Sequence, residues 1–434
     1  MSAGATSRST LPLLILIVAL VPASGSAQSV SQRGYIEATG TGYPQAAATD
    51  STRLVGEVLL RHEVTARPAP WFKLTGSADA RVDTHQQTEW DGVGWSDRSA
   101  KRPGVSIRRL DALLTRGPLS LDVGKQFVRW GKTDILNPTD RFAPRDYLGV
   151  VDNEFLGVSA ARLTAGLQSD TLDIVAARFT PSRMPLVDHR WAGLDARLTR
   201  VTLDDQGARY PARAQVGARW NHVSAGYELS LSAFSGNSHL PLVDATVPTA
   251  VDVTAIPIAG MPIDTNTVGP ARVPVTRTYP SMWMVGGDVA VPFSSVTIKG
   301  EAAYFGSDDA RADEYWLYVI QFERQKGEWV FVGGYSGEVV TTPRGGTSFA
   351  PDRGLSKAFL GRASYTIDTN RSLALEGAVR QDGDGSWLRF EYSHASGQHL
   401  RLTARATWIR GKPSDFLGRY ARNSNVTAGL RYSY

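Results

Sequence analysis

Positive charge in this chain is mostly guanidinium: of 47 basic residues only eight are lysine, leaving 39 arginines. Arg362, Arg380, Arg389, Arg401, Arg405 and Arg431 sit on the polar side of two-residue alternations near the C-terminus, and Glu376 and Glu391 share that side. Glu57 and Glu301 hold the equivalent side upstream, and Arg162, Arg178 and Arg219 fit it less sharply. A planar guanidinium grips a carboxylate with two parallel hydrogen bonds, and rings of charged side chains set pore selectivity. One reading is an arginine-lined track that attracts anionic solutes. The other is a mesh of Arg–Glu pairs that solvates and stiffens a wall. The 42 acidic residues leave a formal charge of only +5, which weighs against strong anion selectivity and gives no warrant for a nucleic-acid partner.

A second group is concentrated between Gly124 and Phe155. The alternation leads to a strand ending at Trp130-Gly131, followed by a loop over 130–155 with turn formers at Asn137-Pro138 and Pro144. Its charges alternate in sign: Lys132, Asp134, Asp140, Arg141, Arg145, Asp146, Asp152 and Glu154. That pattern implies internal ion pairing and an ordered loop. Such a loop either folds into a pore as a constriction, built from Trp130, Lys132, Asp134, Asn137, Asp140, Arg141, Arg145 and Asp146, or stays outside with no part in transport.

Other chemistry is sparse. Seven histidines show no zinc-binding i, i+4 pair on a helix, and no Gly-x-Ser-x-Gly elbow is present. Without cysteine there is no disulfide, thiolate metal site or thiol nucleophile. No metal, cofactor or catalytic residue is expected. Asp188-His189 reads as a solvated loop, and Gly383 and Gly385 as a hairpin turn. A lipid-modifying barrel enzyme would need Ser, His and an acid at the bilayer rim, and His62 has no such partners. The Pro/Thr/Val-rich stretch 236–275 suits a pore cap or an adhesive loop that binds surface glycans.

The elements that carry these residues alternate with period two. In Leu400–Trp408 the apolar Leu400, Leu402, Ala404, Ala406 and Trp408 oppose Arg401, Thr403, Arg405 and Thr407, which puts them on opposite faces of a strand. Many such stretches exceed the usual five or six residues and match the ~9–11 needed to cross a bilayer. Trp71, Trp316, Tyr365, Trp408, Tyr432 and Tyr434 near their ends suit interfacial girdles. The alternation predicts strands over 33–42, 53–66, 71–83, 104–115, 119–129, 156–168, 171–180, 213–221, 224–235, 276–291, 295–307, 313–324, 328–341, 356–367, 371–381, 386–395, 398–410 and 424–434. Short turns, beginning with Pro68-Ala69 and including His222-Val223, then fall at one end and the long connections at the other, provided that Leu194–Leu203 is loop. The fold class is all-β: a transmembrane, antiparallel, up-and-down barrel of about eighteen strands, or sixteen if the Gly-rich first strand stays out. Periplasmic turns are short and extracellular loops long. At that width the barrel leaves an aqueous channel.

Residues 1–27 read as a secretory signal, with Arg8, the apolar run Leu11–Val21 and small residues before a cut ahead of Gln28; residues 28–434 are the barrel. The segment Gly124-Lys125-Gln126-Phe127-Val128-Arg129-Trp130-Gly131, with Asn137-Pro138 beyond it, resembles a hairpin end of an uncharacterised outer-membrane barrel family of Gram-negative bacteria. It resembles less closely the alginate-export barrels, which have eighteen strands and an Arg-rich lumen for an anionic polysaccharide. The resemblance implies a transport-type barrel and leaves the solute open. The expected function is passive diffusion or export of hydrophilic solutes, anionic ones included, across the outer membrane through an Arg-rich lumen; the alternative is a structural or adhesion barrel with surface-binding loops, ahead of a lipid-modifying enzyme. Its partners are the solute, outer-membrane lipid and the barrel-assembly machinery, which engages the last strand ending in Tyr434. Oligomeric state stays open.

Overall fold

In a computed structural model, described for residues 29–434 apart from 48–49, 135, 185–188, 193–200, 246–270 and 347–349, eighteen antiparallel strands close on themselves. The first nine are Ser29–Gly42, Leu54–Ala69, Phe72–Asp83, Arg102–Arg116, Leu119–Gln126, Val158–Leu167, Asp170–Ala177, Gln215–Val223 and Glu228–Asn237. The other nine are Ser281–Pro292, Thr297–Gly306, Glu314–Lys326, Trp329–Thr342, Ala358–Thr366, Arg371–Arg380, Gly385–Ser396, Leu400–Gly411 and Asn425–Ser433. The last strand closes on the first, from Tyr35↔Ser433 to Gly42↔Val426, so the Gly-rich first strand belongs to the wall and the count is eighteen. Closure follows from the solvent: lipid cannot hydrogen-bond a free strand edge.

Eight connections at one end have two to four residues, at 70–71, 117–118, 168–169, 224–227, 293–296, 327–328, 367–370 and 397–399. The other end carries every long one, including 84–101, 127–157, 178–214 and 238–280. Two turns differ from expectation. Pro68 lies within its strand, at an irregularity between Ala66 and Ala69 where no amide donor is required, and the turn is Pro70-Trp71. Pairing continues through Asp170↔His222, which moves the next turn to 224–227. Residues 1–27 lie outside the described residues, as do 194–200 and the 246–270 part of stretch 236–275. Val201–Arg209 lies outside the barrel wall, in a small sheet with Ala271–Thr278 and Leu242–Ala245.

Alternation sorts the side chains. Leu388, Phe390, Leu402, Trp408, Val426 and Leu430 are exposed on the outer face, while Trp387, Thr407 and Ile409 on the intervening positions are buried inside. Trp71, Trp316, Trp408, Tyr432 and Tyr434 also face outward, and Tyr365 packs against Trp329 with the rings tilted and their centroids 4.6 Å apart. These are the positions an interfacial girdle requires.

Candidate functional site

The strand Leu119–Gln126 ends earlier than its alternation suggests, two residues past Gly124, which still pairs with Asp111 and Ala160. The Gly124 φ of +134° is open to glycine, and a Cβ there would collide with the Leu110 carbonyl oxygen. Beyond it both Lys125 and Gln126 are buried. Lys125 Nζ donates to Trp95 O at 2.7 Å and Asp97 Oδ2 at 2.6 Å. Gln126 Nε2 donates to the carbonyls of Asp122 and Ala160 at 3.0 and 3.2 Å. From this Gly-Lys-Gln strand end residues 127–157 leave the wall and pack against its inward side chains. Trp130-Gly131 therefore opens the loop rather than closing a strand.

Half of the loop is held by burial and one carboxylate. Val128, Trp130, Leu136 and Phe142 form an apolar cluster with inward residues of the wall, among them Val158, Val175, Phe234, Met284, Phe305 and Leu317. The Trp130 and Phe142 rings meet edge-on at 5.2 Å, as do Phe142 and Phe234 at 5.0 Å. Glu301, 3% exposed, receives the loop's backbone. Its Oε2 accepts from the Lys132 and Thr133 amides at 3.0 and 3.2 Å and from Thr133 Oγ1 at 2.9 Å. Its Oε1 accepts from the Thr139 amide and hydroxyl at 2.8 and 2.9 Å. Asp140 closes the turn by accepting from the Trp130 and Gly131 amides at 2.5 and 2.7 Å, and Asn137 donates to Thr133 O. Lys132 pairs with Glu228, and Asp134 with Lys299 at 3.0 Å. Arg219 holds the Trp130 carbonyl and pairs with Asp288 at 2.9 Å.

The other half crosses to the far walls on charge. Asp146 pairs with Arg102 at 2.9 Å and Arg183 at 2.6 Å, and Glu154 with Arg61 at 3.0 Å. Asp152 meets Arg405 at 3.5 Å and Arg389 at 3.7 Å, and Arg389 donates to Val151 O at 2.9 Å. Arg145 lies 4.1 Å over Phe155 and donates to Asn153 Oδ1 at 2.8 Å. Arg141 reaches Asp352 at 3.5 Å. The expected internal pairing is therefore corrected: these acids and bases pair mostly with the wall and with other loops, because the loop is stretched between them. Between its charged half and the wall lies a cavity of about 390 Å³, lined by eight arginines and eight carboxylates.

Of the expected lumen residues, Arg389, Arg405 and Arg431 border that cavity. Arg405 pairs with Glu391 at 2.7 Å and Arg431 with Glu37 at 2.9 Å. Arg362 lies 3.8 Å from Glu376, away from the loop. Arg401 is exposed opposite Arg431 in the strand register. Arg380 instead ties outer loops together, through Asp415 at 3.1 Å and Gly354 O at 3.2 Å. Arg178 is exposed, with the outward parity of Leu172 and Ile174. Arg81, Arg102 and Arg108 line the cavity without having been singled out, and Arg61 meets it through Glu154. Strand parity could have found them, but not that a loop would reach them.

At the outer mouth, His189, Arg190 and Trp191 are buried rather than solvated; Asp188 lies outside the described residues. Arg190 explains this: it donates to the carbonyls of Thr52, Gln45 and Arg422 and lies 3.8 Å over Tyr43, binding three loops. Burial first, then the charges of His85 and Arg102, push the His189 pKa down to about 4. An undocked imidazole titrates near ~6.5, so between these values the undocked loop binds the extra proton and docking weakens as pH falls. Loop 178–214 should be cleaved at least about tenfold faster at pH 4.5 than at pH 7.5 by an acid-tolerant protease, after correction for its own pH dependence. His189→Gln should remove that difference, and an unchanged difference would refute the assignment. Asp146 moves the other way. Burial opposes its charge, but Arg102 and Arg183 hold its carboxyl far below the usual range, so its pairs persist well into acid. Among the described residues no group of three or more His, Asp or Glu could hold a metal.

No protein-family model matches the sequence, and no curated protein matches it significantly. Solved structures do. A BenF-like porin from Pseudomonas fluorescens Pf-5 superposes with a TM-score of 0.51 at 12% identity, covering 94% of this chain and 99% of that one. Acinetobacter baumannii OccAB1 gives 0.53 at 8% identity, with 95% and 97% covered. Pseudomonas aeruginosa OccK5 (OpdH) gives 0.50 at 9%, with 95% and 99% covered. At such identities the likeness shows the fold alone: a closed eighteen-stranded antiparallel barrel, similar in architecture to these outer-membrane structures.

Proposed function

We propose that the protein is a passive outer-membrane channel for small hydrophilic solutes, with loop 127–157 setting its aperture and carboxylate-bearing solutes favoured. The observation that carries this reading is the loop's span: it is pinned to opposite walls and leaves a charged cavity beside it. The preference for anions rests on how the cavity's charges are used. Its eight arginines and eight carboxylates balance, but Asp79 is taken by Arg61, Glu57 by Arg81, and Asp146 by Arg102 and Arg183. Arg389 has its nearest carboxylate at 3.7 Å, so guanidinium capacity is left for a solute. Residues 1–27 are removed on export, and the assembly machinery takes the last strand at Tyr434.

The test is current across a planar bilayer. The purified barrel should give discrete conductance steps. In a salt gradient, replacing Arg389, Arg405 and Arg431 together with glutamine should lower the anion-to-cation permeability ratio by about threefold or more, since clefts of one charge concentrate counter-ions by factors of about 10–10³. A folded barrel that passes neither ions nor small solutes in liposomes would overturn the reading.

A further inference from the structure

We infer that Asp152 and Glu154 are tethered counter-anions occupying the sites where a carboxylate solute binds, and that the solute passes by exchanging with them. The inference rests on the channel reading above. Both carboxylates lie on the stretch of loop that borders the cavity. Their side chains are 60% and 55% exposed although each meets wall arginines.

Neither is held firmly. Glu154 receives a single bond from Arg61, at 3.0 Å, because that guanidinium already gives two bonds of 2.7 Å to Asp79. Burial works against the Glu154 charge, yet Arg61, Arg81 and Arg108 together keep its carboxyl below the usual range. Of these three, Arg81 pairs with Glu57 at 2.5 Å. Arg108 makes no ion pair with a carboxylate among the described residues. It reaches the cavity through an irregularity in strand pairing: Ser77 faces Arg109 while Ala78 faces Ile107, leaving Arg108 as the extra residue. Such a bulge re-aims a side chain, and here the guanidinium lies 4.6 Å over the Phe127 ring. On the other wall, Asp152 touches Arg389 and Arg405 only at 3.7 and 3.5 Å, and Arg405 is already committed to Glu391 at 2.7 Å.

Each site thus combines a loosely held protein carboxylate with a guanidinium that makes no two-bond contact with a carboxylate: Arg108, which pairs with none among the described residues, or Arg389, whose one short bond goes to Val151 O. An incoming carboxylate can take the two-bond geometry that the tether denies to Glu154 and Asp152. The loop carboxylate then returns as the solute leaves, so neither site is stripped of its counter-charge. A dicarboxylate could engage both walls in turn.

The chain has no cysteine, so Glu154→Cys creates a single thiol. The full chain in detergent micelles is treated with anionic sulfonatoethyl or cationic trimethylammonioethyl methanethiosulfonate, and labelling is followed by mass spectrometry. With the tethered anion gone, the anionic-to-cationic rate ratio should exceed that of a free thiol in the same buffer by about tenfold or more. Millimolar succinate should slow the anionic reagent, and adding Arg108→Gln should return the ratio to the free-thiol value. A free-thiol ratio in Glu154→Cys, or a thiol neither reagent reaches, overturns the inference. Asp152→Cys with and without Arg389→Gln repeats the measurement on the other wall and replaces the first variant should that fail to fold. None of this needs current: selective labelling without conductance would sink the channel reading, and with it passage by exchange, while leaving the counter-anion sites standing; conductance without selective labelling would sink this inference alone.

Discussion

Replacing Glu301 with leucine should free loop 127–157 and raise single-channel conductance several-fold. The carboxylate accepts three amide and two hydroxyl hydrogen bonds from the loop in a site closed to water. A buried donor left without its acceptor costs about 1–3 kcal/mol. Even if part of the five rebond elsewhere, the loss of docking energy is on the order of 5 kcal/mol. The barrel itself should survive, because residue 301 pairs with Asp288 and Val319 along the strand ladder through its backbone, which the substitution leaves intact. Glu301→Gln should resemble leucine, since its amide turns a donor toward donors, and Glu301→Asp should fall between. Conductance in planar bilayers and protease cleavage within 127–157 read the outcome. Wild-type conductance with an uncut loop in Glu301→Leu would mean that the docking energy lies elsewhere.

Glu301 also marks how much of the site was legible. Its place on the polar face follows from the alternation Val296, Ile298, Gly300, Ala302, Tyr304. Every strand of the wall was readable in the same way, because a lipid-facing strand has one apolar and one polar side and the two cannot be confused over ten residues. What period two cannot convey is which inward residue meets which loop. Nothing near Glu301 in sequence names Thr133 or Thr139, and the charge pattern of 132–154 suggested self-pairing because sequence proximity is the only proximity a sequence displays. The Gly-Lys-Gln triplet was visible as a pattern but not as a mechanism. Its meaning, a positive-φ glycine that swings two polar side chains inward, depends on where Leu110 and Trp95 lie. Inward apolar residues such as Met284, Leu317 and Val319 were a clue that half the lumen is dry, since a lumen filled with water alone gives them nothing to pack against.

That dry half yields the second large effect. Phe142→Ala should loosen the same loop without touching a charge. Phe142 is 1% exposed and stands between Trp130 and Phe234, and truncating a buried phenylalanine costs about 3–5 kcal/mol. Gly217→Val approaches the contact from the wall. A Cβ at Gly217 would lie 2.8 Å from Phe142 Cε2, 2.9 Å from Trp130 Cη2 and 2.8 Å from the Ala233 carbonyl oxygen, so added carbon must push the loop inward, at about 1–3 kcal/mol of overpacking. The two variants disturb one packing surface in opposite senses, by a void and by a wedge. Both should give noisy, larger conductance steps and faster cleavage within 127–157, while the charged half stays paired through Asp146 and Arg183. Glu301→Leu combined with Phe142→Ala should exceed neither single variant by much, because a loop already off the wall has no docking left to lose. Fully additive effects would show instead that the carboxylate and the aromatic cluster hold separate segments, and that the docked half, 127–142, moves in parts rather than as one body.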